Sequence, residues 1–161
     1  MKAWYLLGAA LFLTACGGGG SSDRAAPEVA ASPTVKFFQA DNGANDRQLW
    51  KTDGTAAGTS MVKVINAGGG ADVEVLGSLG AKTIFQADDG INGRELWVTD
   101  GTEAGTLLLK DIHAGTGSTY IPSFAIADGT LYFGAYDNVN GTELWKTDGT
   151  AAGTVMVKDI K

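Results

Sequence analysis

The stretch ELWVTDGTEAGTLLLKDI at residues 95–112 decides the fold, because closely similar stretches occur at 48–65 and 143–160. These read QLWKTDGTAAGTSMVKVI and ELWKTDGTAAGTVMVKDI, and the three align without a gap. Self-similarity at a fixed period of about 20 to 50 residues is the signature of a repeat architecture. The period here is 47 to 48 residues, which the shared tryptophans mark: Trp50, Trp97 and Trp145.

Each repeat predicts four short β-strands, most clearly in the last copy. The segments are rich in β-branched and aromatic residues and are bounded by Gly, Asp or Asn, which is typical of strands. Asp128-Gly129, between the first two segments, is a strong hairpin signal. No stretch after residue 33 has helical periodicity with a cap and a stop. The four predicted strands lie at 123–129, 130–136, 142–147 and 154–160.

Four antiparallel strands in a repeat of this length match one blade of a β-propeller, which has about 40 to 50 residues. A single such sheet is marginal alone, so neighbouring sheets must stack to bury their apolar faces. The first strand of the first repeat is missing. We therefore expect an all-β fold: a partial β-propeller-like array of about three four-stranded antiparallel sheets, with the first blade incomplete.

Three repeats, of which the first is incomplete, are too few for a closed propeller, which has about four to eight blades. The chain is then expected to leave two sheet edges open, to pair with other copies, or to be a truncated fragment of a larger propeller protein. Native proteins normally cover or charge open sheet edges, and no such feature stands out in this sequence. Self-association through the open sheet edges is the natural expectation.

The repeat resembles a known family. The segments ELWKTDGTAAGTVMVKDI and FQADDGINGRELWVTDGTEAGT are similar to the ELWxxDGT repeat of bacterial secreted and surface proteins. The resemblance covers about residues 35–161, and it implies β-propeller-like repeats in a family largely without assigned biochemistry. The first copy departs from the family pattern at Asp46, Gln48 and Val64.

The N-terminus has the pattern of a secretory signal. The basic residue Lys2 precedes the apolar run 3–13, which is far shorter than the about 20 residues of a membrane span. The sequence LTAC at 13–16 resembles the bacterial lipobox, which implies cleavage before Cys16 and lipidation of its thiol. Cys16 is the only cysteine, so the chain has no disulfide partner for it.

The resemblance to lipoproteins also implies where the chain lies. Gly17 after the cysteine, in place of an aspartate, implies sorting to the outer membrane, facing the periplasm or the cell surface. Acyl chains on Cys16 would anchor the chain to the membrane. The predicted domains are a signal peptide at 1–15, a lipidated cysteine with a flexible Gly/Ser/Pro tether at 16–33, and a repeat domain at 34–161 with repeats at about 34–72, 73–120 and 121–161.

The charge of the chain excludes one class of partner. The formal net charge is −6, and no basic stripe follows the signal. Because nucleic acids attract clustered Lys and Arg, we expect no nucleic-acid binding.

The Asp-Gly-Thr turn of each repeat is interpreted as structural. Aspartate accepts hydrogen bonds from turn amides, glycine supplies a positive φ, and threonine favours the following strand. A residue that every repeat carries is expected to determine the fold rather than to catalyse a reaction. The tryptophans, flanked by leucine, are likewise expected in the core instead of on a sugar-stacking surface. The structural repeat residues are Trp50, Asp53, Gly54, Trp97, Asp100, Gly101, Trp145, Asp148 and Gly149.

The loops ahead of each tryptophan are a candidate calcium site. They carry side-chain oxygens at alternating positions before a closing Glu or Gln, and oxygen ligands are what Ca²⁺ requires. The alternative, an Asn/Gly-rich hairpin loop, is favoured because the Asp positions differ between copies. No other cofactor is expected. The candidate ligands are Asp41, Asp88, Asp89, Asn92, Glu95, Asp137, Asn140 and Glu143.

No catalytic residue is predicted. Glu95 and Glu143 occur once per repeat, whereas retaining glycosidases need two carboxylates about 5 Å apart. We expect each to bond to backbone groups or to a lysine of a neighbouring sheet. His113, the sole histidine, is expected to be a solvated loop residue.

The predicted function is therefore a non-enzymatic, lipid-anchored repeat module at the cell envelope that scaffolds protein or glycan contacts. Three alternatives stay open beside it. The first is a propeller-type carbohydrate-active enzyme, such as a lyase or hydrolase. The second is a Ca²⁺-stabilised adhesion repeat, and the third is the truncated fragment already named.

Overall fold

The computed structural model describes residues 34–160, which belong to one compact unit, Ser32–Lys161. The predicted signal peptide, Cys16 and the tether lie outside these residues. Within them, no helix has the length and apolar character that crossing a membrane requires. Eleven strands are present: β1 Lys36–Asp41, β2 Arg47–Thr52, β3 Ser60–Lys63, β4 Glu74–Leu79, β5 Lys82–Asp88, β6 Arg94–Thr99, β7 Leu107–Lys110, β8 Phe124–Ala127, β9 Thr130–Asp137, β10 Gly141–Thr147 and β11 Val155–Lys158.

The strands form three antiparallel sheets, numbered in chain order. Sheet 1 is β1-β2-β3, sheet 2 is β4-β5-β6-β7, and sheet 3 is β8-β9-β10-β11. Among residues 34–160 the all-β prediction with three antiparallel sheets is confirmed, and so is the incomplete first sheet, which has three strands against four in the others. The four strands predicted in the last repeat correspond to β8–β11.

The strand that carries the phenylalanine and the strand that carries the tryptophan pair in the same register in every sheet. Phe85 lies directly opposite Trp97, as Phe38 lies opposite Trp50 in sheet 1. Aromatic pairs across neighbouring strands stabilise a sheet. Each sheet also has a β-bulge immediately before the tryptophan, where the last strand shifts its pairing. A bulge at a fixed place increases the local twist, so all three sheets share one shape.

Sheet 2 buries both of its faces because its side chains alternate between two apolar clusters. Phe85 and Trp97 belong to a cluster shared with Leu49 and Val62 of sheet 1. Burial of each such side chain stabilises the fold by about 1.5–3 kcal/mol.

The opposite face of sheet 2 packs on sheet 3. Ile84 and Leu96 belong to a second cluster, which includes Phe133 and Trp145. The Phe/Trp face of sheet 3 therefore packs on the Ile/Leu face of sheet 2. In the same order, the Phe/Trp face of sheet 2 packs on sheet 1.

The stack has two ends, which carry different connections. We call the end with the Asp-Gly-Thr turns the turn end, and the opposite end the loop end. The turn end holds 53–59, 80–81, 100–106, 128–129 and 148–154, and the loop end holds 42–46, 64–73, 89–93, 111–123 and 138–140.

Candidate functional site

The Asp-Gly-Thr turns are closed by their own side chains. In sheet 2, Asp100 Oδ1 accepts hydrogen bonds from Thr102 N at 2.9 Å and from Thr102 Oγ1 at 2.7 Å. Thr102 Oγ1 in turn accepts from Gly105 N at 2.9 Å. Gly101 has a φ of 88°, which disfavours any residue with a side chain. The same bonds recur in the turns of sheets 1 and 3.

These aspartates are held ionised by the turn. The side-chain hydrogen bond from Thr102, and then its backbone amide, lower the pKa of Asp100 below its ordinary value. The pKa values of Asp53 and Asp148 are lowered in the same way, by Thr55 and Thr150. The carboxylate of each of these aspartates therefore shapes its own turn, as the sequence predicts.

Lysines from one sheet bind the turn of the next sheet. Lys51 Nζ in sheet 1 donates to Gly101 O at 2.7 Å, and Lys63 Nζ donates to Thr106 O at 2.8 Å. Between sheets 2 and 3 the equivalent contact comes from Lys82, whose Nζ donates to a turn carbonyl of sheet 3 at 3.0 Å. Sequence reasoning missed these contacts, because it considered lysine only as a partner for glutamate.

Glu95 is fully buried and binds backbone amides of its own sheet. Its carboxylate accepts from Ile112 N at 2.8 Å and from His113 N at 3.2 Å. Thr119 Oγ1 donates to it at 2.8 Å. Burial raises the pKa of Glu95 above its ordinary value, although these hydrogen bonds oppose the rise.

The equivalent side chains of the other sheets have the same role. Gln48 Oε1 accepts from Ile65 N at 2.8 Å, and Glu143 Oε2 accepts from Ile160 N at 2.6 Å. Gln48 Nε2 also donates to three carbonyl oxygens of the loop end. Of the two partners predicted for the glutamates, backbone groups and neighbouring lysines, the structure shows backbone groups. Each side chain joins its sheet to the segment that follows the last strand.

The candidate calcium loops are closed by hydrogen bonds within each loop. Asp89 Oδ1 accepts from Ile91 N and Asn92 N, at 2.9 and 2.7 Å. Within residues 34–160, no group of three or more His, Cys, Asp or Glu side chains is placed to hold a metal ion. The remaining predicted aspartates, Asp41, Asp88 and Asp137, likewise accept amide bonds two or three residues ahead, and Asn140 Nδ2 donates to Asp137 as Asn92 Nδ2 does to Asp89.

The loop end presents apolar side chains to solvent. Ile91 and Val139 stand at equivalent loop tips and are 72% and 78% exposed. Tyr120, in the segment between sheets 2 and 3, is 72% exposed. His113 contacts the ring of Tyr136 edge-on, with ring centroids 5.4 Å apart. We call these five residues the loop-end surface.

Sequence reasoning treated these loops as sources of oxygen ligands and did not weigh their tips. The available signal was an aliphatic residue between Gly or Asn residues, at a position where the first repeat has Ala44. His113 lies in a loop, as predicted, but it is half-buried and takes part in a ring contact that sequence reasoning did not predict.

Two tryptophans, Trp97 and Trp145, lie between sheets, and Trp50 lies on the outer face of sheet 1, so none of them is part of the loop-end surface. Trp97 and Trp145 are buried, and Trp50 is half-buried. Each indole Nε1 is buried without an acceptor among residues 34–160. Because all three copies share this feature, it belongs to the repeat and marks no unique site.

Three of the five side chains of the loop-end surface are not features of the repeat. The tyrosines and the histidine of this surface have no counterpart of the same type in the other repeats. No family model, curated protein or solved structure matches this chain.

Proposed function

We propose that this chain is a lipid-anchored, non-enzymatic binding module of the bacterial envelope, whose loop-end surface contacts a partner. The observation that carries the proposal is the pair of exposed aliphatic tips, Ile91 and Val139. Exposed apolar patches on soluble proteins mark sites of contact with other molecules, and Tyr120 lies at the same end of the stack as these two tips.

A binding role is favoured over catalysis because the buried carboxylates already accept hydrogen bonds from other parts of the chain. Glu95 and Glu143 accept hydrogen bonds from backbone amides. A general acid or base must instead reach a substrate proton at about 3 Å. The Asp-Gly-Thr carboxylates are likewise engaged, in this case by turn threonines.

The three sheets are proposed to form a propeller-like array of ELWxxDGT repeats. Support comes from the packing order, since the Phe/Trp faces of sheets 2 and 3 both meet the opposite face of the preceding sheet. A constant face-to-face order is what radial repetition of blades requires.

Among possible partners, the loop-end surface favours a protein over a glycan. Sugars stack on aromatic faces, whereas exposed aliphatic tips gain from burial against another apolar surface. Tyrosines add contact area with little loss of side-chain entropy. The acidic net charge disfavours nucleic acid.

The test places a photo-crosslinking amino acid in the full chain in living bacteria, at position 91 or 139, with position 103 at the turn end as the matched control. We expect one discrete protein to crosslink from the two tips and not from the control. The purified partner should then bind the full chain, and the variant I91S/Y120S/V139S should bind at least about tenfold more weakly.

Crosslinking of equal strength from position 103 would argue against the loop-end surface. Binding to purified cell-wall glycan that is lost in the same variant would reassign the partner to a glycan. Release of new reducing ends from that glycan would revive the carbohydrate-active enzyme.

The anchor is tested separately by labelling growing cells with radioactive palmitate. We expect the label to appear in the wild-type chain and to be lost in Cys16→Ser. A chain that stays unlabelled and is secreted in soluble form would contradict lipid anchoring, and would leave the loop-end surface unaffected.

A further inference from the structure

The outer face of sheet 3 repeats a face that is buried in the other two sheets. Leu49 in sheet 1 and Leu96 in sheet 2 are 0% exposed, whereas the equivalent Leu144 is 37% exposed. In the last strand, Leu109 is 6% exposed and the equivalent Val157 is 47% exposed. Sheet 3 thus displays to solvent the side chains with which sheets 1 and 2 bind the next sheet.

A depression at the turn end shows the same relationship. Sheet 2 lines one side of a cavity of about 320 Å³, and residues 149–151 of the sheet 3 turn line the other side. Sheet 3 has a depression of about 360 Å³ at the equivalent place, and no turn of another sheet among residues 34–160 lines it. The sheet 2 positions are Lys82, Val98, Asp100, Gly105 and Leu107, and the sheet 3 equivalents are Thr130, Lys146, Asp148, Gly153 and Val155.

The turn of sheet 1 is the one turn that no preceding sheet covers among residues 34–160. Gly101 is buried against Phe37 of sheet 1, and Gly149 is buried against Ile84 of sheet 2. Gly54 is exposed, and a Cβ at this glycine would have no described atom within 4 Å. The described part of the chain therefore carries one uncovered turn, and one depression that no turn of another sheet faces.

The lysines that join neighbouring sheets show the same difference between sheet 1 and sheet 3. Lys51 and Lys63 of sheet 1 bind carbonyl oxygens in the sheet 2 turn. Their equivalents in sheet 3, Lys146 and Lys158, are exposed and bind no turn carbonyl among residues 34–160. Tyr132 stands where Phe37 stands in sheet 1, and it is 38% exposed.

The outer face of sheet 1 offers the complementary surface. Phe38 and Trp50 are the equivalents of Phe85 and Trp97, the residues of sheet 2 that receive sheet 1. Both are half-buried, although Phe85 and Trp97 are buried. Each end of the stack thus carries one half of a contact that the chain already makes internally.

We propose that the outer face of sheet 3 binds the outer face of sheet 1 of a second copy of this chain. Lys146 and Lys158 then donate to carbonyl oxygens of the partner's 53–59 turn, which fills the sheet 3 depression. The occupant is a second copy, because the equivalent faces of sheets 1 and 2 already bind an Asp-Gly-Thr turn and a Phe/Trp face of this same chain. The inference concerns sheet faces, whereas sequence analysis expected association through strand edges.

Such a contact is head-to-tail, so it closes into a ring or extends as a filament. Residues 34–160 of two copies bring together six sheets, which lies within the about four to eight blades of closed propellers. We therefore expect a discrete dimer. The inference goes beyond the proposed function and does not depend on the loop-end surface.

The test is sedimentation equilibrium of the full chain in mild detergent, with Cys16→Ser in every variant to remove association through lipid. We expect a dimer that dissociates on dilution. Leu144→Arg blocks the sheet 3 face and Ala56→Arg blocks the sheet 1 turn, so each variant alone should be monomeric. Ala114→Arg, an exposed change in the segment between sheets 2 and 3, is the matched control and should leave the dimer intact.

Mixing the two blocked variants gives the decisive result. Each keeps one intact face, so an equimolar mixture should form a one-to-one heterodimer, which also shows that both variants are folded. A filament of wild-type chains with the same mixing behaviour supports the contact without ring closure. If the wild-type chain stays monomeric at concentrations up to about 1 mM, the proposal is overturned. At that concentration even a binding free energy of about 4 kcal/mol would give a detectable dimer. A dimer that survives either substitution overturns it too.

Discussion

Lys51 Nζ lies 2.7 Å from the carbonyl oxygen of Gly101, and this hydrogen bond joins sheet 1 to the turn of sheet 2. The two residues are 50 positions apart in the chain. The charged amine of Lys51 thus binds a buried glycine, and a Cβ placed on Gly101 would lie against the ring of Phe37. The contact therefore connects neighbouring repeats at their turn end.

Lys51→Met should lower the free energy of unfolding by about 1 kcal/mol, because the apolar stem is kept and the charged hydrogen bond is lost. Urea unfolding followed by tryptophan fluorescence measures the change. Lys110→Met is the matched control. Lys110 occupies in sheet 2 the position that Lys63 occupies in sheet 1, and it is exposed. Equal destabilisation by both substitutions would show that the contact with Gly101 has no special weight.

Gly105→Ala should destabilise the chain by about 1–3 kcal/mol, the usual range for overpacking. A Cβ at Gly105 would overlap the carboxylate of Asp100, which is held by Thr102. Gly69→Ala is the control, because a Cβ there meets nothing within 4 Å. Thermal unfolding of the two variants checks the prediction, and a Gly105→Ala variant as stable as the control would contradict it.

Glu95→Ala should cost about 3 kcal/mol, because it leaves the buried amide of Ile112 without an acceptor. Glu95→Gln should be far milder, since Gln48 has the same role in sheet 1. A pKa raised in the folded state means that the folded chain holds its proton longer than the unfolded chain. Stability from this group is therefore present below the ordinary pKa of about 4.5 and is lost as pH rises through the raised folded pKa.

The pH dependence separates the two glutamate variants from wild type. The stability of Glu95→Gln relative to wild type should increase as pH rises from 4.5, because the glutamine has no proton to lose. Urea titrations at a series of pH values measure the difference. A constant difference across this window would mean that the pKa of Glu95 is not raised.

Chelation tests the calcium hypothesis. Because Asp89 and Asp137 already accept backbone amides, we expect excess EDTA to leave the melting temperature unchanged. Saturating Ca²⁺ should likewise give no stabilisation, since a ligand that binds only the folded state raises its stability. A higher melting temperature with Ca²⁺, reversed by EDTA and absent in Asp89→Asn, would establish the Ca²⁺-stabilised repeat.

The regular part of the fold was predictable because local patterns encode it. Alternating apolar residues and Asp-Gly turns mark the strands, and β9 and β10 each match their predicted segment to within one residue at either end. The structural role of Asp100 follows from turn chemistry alone. These features depend on residues close together in the chain.

The remaining features depend on how the sheets stack, which short-range patterns do not contain. Lys82 and Gly149 are 67 residues apart, so their hydrogen bond is visible only once sheets 2 and 3 are placed. The same holds for His113 and Tyr136, which belong to different repeats. The sequence showed which residues recur, but not which faces remain uncovered.

The correspondence between the turn of one sheet and the depression on the sheet before it also bears on how such a chain changes length. Each repeat of about 48 residues carries both the inserting turn and the receiving depression. A duplicated repeat would arrive with a compatible surface on either side, and a deleted one would leave neighbours that still match. Repeat number can therefore drift by whole units during gene duplication, with no compensating substitution at the new junction.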